Sequence, residues 1–117
     1  MEILKIHEQI KDNILLLRKT RDTLKVRADD KSKAIAEYEK AIAIITIRLV
    51  NGEPIDFEGM VVQKPPATIM KDIVKGICYK ERIAADLTES NLKSAMLGLK
   101  AIETTIMALQ SLLKHEE

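Results

Sequence analysis

Aromatic residues are nearly missing from this 117-residue chain: there is no tryptophan, and Tyr38, Phe57 and Tyr79 are the whole complement. Proteins that hold single strands usually stack bases on aromatic side chains, so any nucleic-acid contact here is expected to be mainly electrostatic. A single cysteine, Cys78, excludes an internal disulfide and points to a reducing, cytoplasmic setting. The longest unbroken apolar run, Ala41 to Ile45, is far short of the ~20 residues that span a bilayer. The opening Met-Glu-Ile-Leu-Lys has neither the basic start nor the apolar stretch of a secretory signal. No membrane is therefore expected. Charge of one sign is not in excess either: the net charge is +1, so no global field announces a polyanionic partner.

The groups that catalysis requires are just as sparse. His7 and His115 sit near opposite ends beside glutamates and read as solvated. Cys78 lies between Ile77 and Tyr79 with no histidine near it in sequence, which reads as a buried structural thiol. No zinc or calcium spacing occurs, and Gly52, Gly59, Gly76 and Gly98 are too isolated to form a phosphate loop. The expectation is a protein without enzymatic activity, metal or cofactor.

What remains is helix composition. Apolar residues make up 46% of the chain, with Ile, Leu, Ala and Met plentiful, and neither glycine nor proline occurs between Glu2 and Val50. In that span Ile3, Ile10, Leu17 and Leu24 recur every seven residues with Ile6 and Ile14 between them. Ile35, Tyr38, Ile42, Ile45 and Leu49 then step by three and four. Such steps place one apolar stripe on a helix, at the spacing of a coiled-coil seam. The polar stretch Arg27 to Lys33 contains Asp29, Asp30 and Ser32, each able to cap a new helix, but an uninterrupted helix over about 2–50 is the preferred reading.

Punctuation gathers in a connector over 51–68. Asn51-Gly52 suits a helix C-terminus with Gly52 left-handed. Residues 55–58 and 60–63 flank Gly59 and can pair as a short hairpin or lie as an extended loop. Pro65-Pro66 enforces extended backbone, and Thr68 is placed to cap the next helix with Asp72 in its first turn. That helix is expected over about 69–115. Gly76 marks a kink or a close approach in it, and Leu92, Met96, Leu99, Ile102, Ile106, Leu109 and Leu113 form its stripe.

The pattern predicts a single all-α domain over 1–117, a long helical hairpin joined by an irregular connector. Two stripes make a thin core, so self-assembly into a homo-oligomer is expected. Ile35, Tyr38, Ile42, Ile45, Leu49, Leu99, Ile102, Ile106 and Leu109 are the candidate interface residues. Between Lys11 and Lys33, eight basic residues stand against four acidic ones, a local balance of +4, while 51–66 is at −2. Lys11, Arg18 and Lys25 are seven apart with Arg21 between the last two, forming one strip that can follow a phosphate backbone. Equally, it can be a solvated helix face.

The order of parts carries a resemblance. A long helix ends in Arg48-Leu-Val-Asn-Gly52; a connector follows; then Ala67-Thr-Ile-Met-Lys-Asp-Ile-Val-Lys-Gly76 leads into a helix closing on Ser111-Leu-Leu-Lys-His. Over about residues 30 to 117 this layout resembles small proteins that tailed phages of Gram-positive hosts carry among their replication and recombination genes. It is similar in arrangement to the UvsY recombination-mediator family. That resemblance implies a helical oligomer that binds single-stranded DNA and helps load a recombinase onto strands covered by single-strand-binding protein, in the host cytoplasm. It places DNA-binding basic residues at the end of the long helix. Arg48 matches that place, whereas the family's second basic position is Thr46 here. The candidates become Arg48 with Lys40, Lys64, Lys71 and Lys75, beside the independent strip of Lys11, Arg18, Arg21 and Lys25. Two other readings stay open: a helical oligomer that inhibits host defence by binding a host protein or a small nucleotide, and a purely structural coiled-coil subunit.

Overall fold

A computed structural model describes residues 2–116. The protein is all-α, a helical hairpin with a small strand hairpin at its connector. The elements are α1 (Ile3–Val50), β1 (Ile55–Phe57), β2 (Met60–Val62), α2 (Ala67–Ile77) and α3 (Tyr79–Glu116). Contacts divide the chain into two compact units, one of residues up to Asp30 with those from Glu89 on, the other of Lys31–Thr88.

α1 runs unbroken through Arg27–Lys33, as the uninterrupted reading expects. None of the three capping residues there starts a new helix, because the flanking sequence holds no glycine or proline to end the first. In the first unit the covered positions of α1 include Ile6, Ile10, Asn13, Leu17, Thr20 and Leu24, alternating four and three, with Ile6 wholly buried. The expected stripe is thus shifted: Ile3 and Ile14 are exposed, and Asn13 and Thr20 take seam positions. On α3 the covered apolar positions in this unit are Leu92, Ala95, Leu99, Ile102, Ile106, Leu109 and Leu113, the same alternation, while Met96 is exposed. A seam that steps strictly by three and four keeps a 3.5-residue period, for which Ala95 has the right phase and Met96 does not.

The second unit is built where α1 ends. Gly52 has φ +80°, its N–H bonds to the carbonyl of Leu49, and the Glu53 N–H bonds to that of Arg48, both at 3.0 Å. This is the Schellman pattern expected of Asn51-Gly52. The chain then forms the strand hairpin. β1 and β2 pair antiparallel in the register Ile55–Val62, Asp56–Val61 and Phe57–Met60. Its two-residue turn is Glu58-Gly59, both at positive φ, as a type I′ turn requires. The Gly59 N–H donates to Asp56 Oδ1 at 3.0 Å. Of the two readings of this segment, the hairpin is the one observed.

Two expectations for the next helix are corrected. Thr68 is not its N-cap: α2 begins at Ala67 after Pro66, whose φ −55° and ψ 142° are extended, and no side chain caps it. Proline fixes the entry one residue early, so Thr68 is already in the first turn. Nor is there one helix over 69–115. The helical path breaks at Cys78 (φ −89°, ψ 25°), two residues beyond Gly76, dividing α2 from α3. No other group approaches within 4 Å of where a Gly76 Cβ would stand, so Gly76 does not mark a close approach. The break coincides with burial: Cys78 is packed with Leu49, Ile55 and Val74 in the core of the unit, and Tyr38, Ala41, Ile42, Ile45, Val62, Met70 and Ile77 close around them.

Candidate functional site

The residues singled out as basic candidates fall on three surfaces. Lys11, Arg18, Arg21 and Lys25 are all exposed on α1 in the first unit. At 100° per residue they lie between about 45° (Arg21) and about 125° (Lys11) around the helix from the Ile6–Ile10–Leu17–Leu24 seam, and among the described residues no ion pair engages them. The strip therefore faces solvent, with Asp12, Asp22 and Asp29 on the same stretch of helix.

The end of α1 is different. Arg48 Nε donates to Glu53 Oε2 at 2.9 Å, across the Schellman turn that brings residue 53 back beside the last helical turn. Both side chains are about half exposed, so the pair adds about 1 kcal/mol at most to stability. Its consequence is electrostatic: a carboxylate accompanies the one arginine that matches the mediator layout. Thr46, at the second matched position, donates its hydroxyl to its own helix at the Ile42 carbonyl, 2.7 Å away. Lys64, at φ +46°, leads from β2 into Pro65-Pro66, and its Cε lies 3.4 Å from where a Gly52 Cβ would stand. Lys40 is exposed on α1 eight residues before Arg48, about 80° around the helix from it.

The third surface was not legible in the sequence as a site. Ile42 and Thr46 of α1 and Ala67, Met70, Lys71, Val74 and Lys75 of α2 line a groove of about 410 Å³. The floor is apolar because Ile42, Met70 and Val74 belong to the core or pack against it. Lys71 and Lys75, one turn apart and exposed, form the rim. No acidic residue lines this groove among the described residues, whereas Glu81 lines the neighbouring cleft at Ala41, Ile44 and Cys78. A third cleft, beside the strand hairpin, has Asp56, Glu58 and Glu81 in its wall. There Tyr79 Oη donates to Glu58 Oε1 at 3.1 Å and the Tyr79 ring meets Phe57 edge-on, with centroids 6.1 Å apart. Two of the three aromatics are thereby engaged with each other.

The expected interface residues are placed mostly in the protein's own interior. Leu49 is buried in the core and Tyr38, Ile42 and Ile45 pack on it. Leu99, Ile102, Ile106 and Leu109 are half-buried along the α3 seam, and Ile35 is exposed. Other apolar side chains stay uncovered, among them Leu4, Leu97 and Met107. Ile44, Ile47 and Val50 recur every three residues on α1, with Val50 68% exposed, and Met60 and Val61 stand out from the hairpin.

Cys78 is buried, as the sequence suggested; burial, and then the Glu81 carboxylate, push its thiol above the ordinary 9.0. A neutral buried thiol is a poor nucleophile. Among the described residues no three His, Cys, Asp or Glu side chains gather as a metal site. By length and composition α3 is apolar enough to cross a membrane, and it is the one described helix that is. No family model, curated protein or solved structure matches this chain.

Proposed function

We propose that this chain is a non-enzymatic, self-assembling helical protein that binds single-stranded DNA through its phosphates, in the manner of a phage-type recombination mediator. The observation that carries the reading is the α1 strip: Lys11, Arg18, Arg21 and Lys25 exposed on one face without a carboxylate partner among the described residues. Repeated around an oligomer, four such charges per subunit become a continuous phosphate track. Arg48 contributes less than the family layout suggests, because Glu53 stands against it.

Assembly has a motive in the large apolar side chains that the chain leaves in water. Ile44, Ile47, Val50, Met60 and Val61 are the uncovered apolar residues suited to it. In this reading α3 belongs with the assembly: Leu92, Leu99, Ile102, Ile106, Leu109 and Leu113 form a half-buried seam, Met96, Leu97 and Met107 stand exposed beside it, and Lys93, Lys100, Glu103 and Lys114 are charged positions of the same helix.

The test is light scattering behind size exclusion, with and without a fluorescent single-stranded oligonucleotide, at low and high salt. An oligomer that shifts the oligonucleotide at low salt and releases it at high salt is expected, with little sequence preference. No association even at low salt would end the DNA reading; a monomer would remove the assembly beneath it. A recombinase or single-strand-binding protein is the partner this function calls for.

One observation favours a second reading, capture of a host protein. The exposed Met60 and Val61 sit on a two-stranded hairpin, a ready edge for another chain. Replacing 53–66 with a neutral linker would then abolish capture without changing oligomer size.

A further inference from the structure

We infer that the groove between α1 and α2 is a nucleoside-phosphate subsite, in which the base lies on the apolar floor and the phosphate bridges Lys71 and Lys75. The inference deepens the single-strand reading and rests on it for the source of the nucleotide, a strand; the recognition chemistry is the same for a free mononucleotide.

Three features of the groove converge. Its volume of about 410 Å³ falls within the range of small-ligand pockets. Its floor, from Ile42, Met70 and Val74, offers flat apolar contact and a polarizable thioether to a base, which suits any base because every base has an apolar face. Its rim has charge of one sign: Lys71 and Lys75 are separated by one turn, so both ammonium groups can reach a single phosphate or two consecutive ones. Two other clefts of this unit have carboxylates in their walls and would repel the same ligand. With two of the three aromatics engaged at the hairpin, the methionine-floored groove supplies a base-holding surface that the composition lacks.

The chain has five methionines, so methyl-labelled methionine gives a sparse spectrum in which Met70 is assignable through Met70→Leu. The probes are thymidine monophosphate and a fluorescein-labelled oligothymidylate, each at low salt. Two variants perturb exposed positions only: the double variant Lys71→Gln/Lys75→Gln removes the rim charge, and Ala67→Phe fills the groove at constant charge. The oligothymidylate is expected to move the Met70 signal. Either variant is expected to weaken binding roughly tenfold, and the double variant to lower the salt slope by about 0.7, the contribution of the one single-strand phosphate that the two lysines share. Circular dichroism identifies any variant that fails to fold, and the charge variant alone then suffices.

Strand binding that leaves Met70 unmoved and both variants unaffected would overturn the subsite while leaving the single-strand reading intact on the α1 strip. Movement of Met70 by the mononucleotide, lost in the variants, with no strand binding, would uphold the subsite with a free nucleotide as its source and end the single-strand reading. A Met70 shift that survives both variants overturns the assignment of the rim. Silence from both probes overturns both proposals.

Discussion

Arg48 shows how a neighbour changes what one residue can do. Its guanidinium is at the place the mediator layout assigns, yet Glu53 Oε2 is 2.9 Å away. Under the single-strand reading Glu53→Gln is expected to strengthen oligonucleotide binding a few-fold at low salt, because it releases a positive charge at the cost of a pair worth about 1 kcal/mol or less. Arg48→Ala in the wild-type background is expected to weaken binding by less than loss of Arg18 and Arg21 together; anisotropy titrations compare the three. Cys78 supplies a pH prediction. Its folded value is raised above 9.0, so the neutral form is the one the fold favours. The stability this contributes is complete below the unfolded value and is lost as pH climbs through the folded one. The urea midpoint should therefore fall with rising pH above about 9, and fall less steeply in Cys78→Ala. Thiol reagents at neutral pH should modify Cys78 only as the protein unfolds.

At the scale of elements, the decisive points are where helices stop. Gly52 takes φ +80° to close the Schellman turn, and a Cβ there would also meet Lys64 Cε at 3.4 Å. Gly52→Ala should cost about 1–2 kcal/mol, seen as a lower urea midpoint with an unchanged slope. These stops were partly readable. Asn51-Gly52 announces a left-handed C-terminus, and Gly59 between two short segments allows a hairpin turn as one of two readings. Glu58 at φ +49° is harder to foresee, since glutamate seldom adopts that region. Its carboxylate is held by Tyr79, 21 residues away, a contact no local pattern signals. The break at Cys78 was misplaced to Gly76 for a related reason. Glycine is the residue of low helix propensity, but the break falls where Cys78 enters the core beside Leu49 and Val74, and packing outweighs a propensity difference of about 1 kcal/mol.

For the whole molecule the controlling quantity is uncovered apolar surface. Ile47, Val50, Met60 and Val61 are each at least 60% exposed. Under the proposed assembly, Ile47→Glu with Val50→Glu should shift the population towards monomer in light scattering while helical circular dichroism persists, because both side chains are at least 60% exposed. The same pair of changes at Ile45 and Leu49 should unfold the second unit, since those residues are its core or pack directly on it.

That contrast separates the two sources of information. By itself the sequence determined the all-α class, the long uninterrupted α1, the left-handed stop at Gly52 and the burial of Cys78, because local propensity, periodicity and the scarcity of glycine and proline act within a few residues. It showed that Tyr38, Ile42, Ile45 and Leu49 are apolar and in phase, but not which surface they meet. Only the tertiary structure decided that they close on α2 and the hairpin, leaving Ile44, Ile47 and Val50 outside. It also decided that Lys71 and Lys75 stand beside Ile42, about thirty residues earlier in the chain. A groove is a relation between two helix faces, and burial of the shared core, not the order of residues along either helix, sets which faces meet.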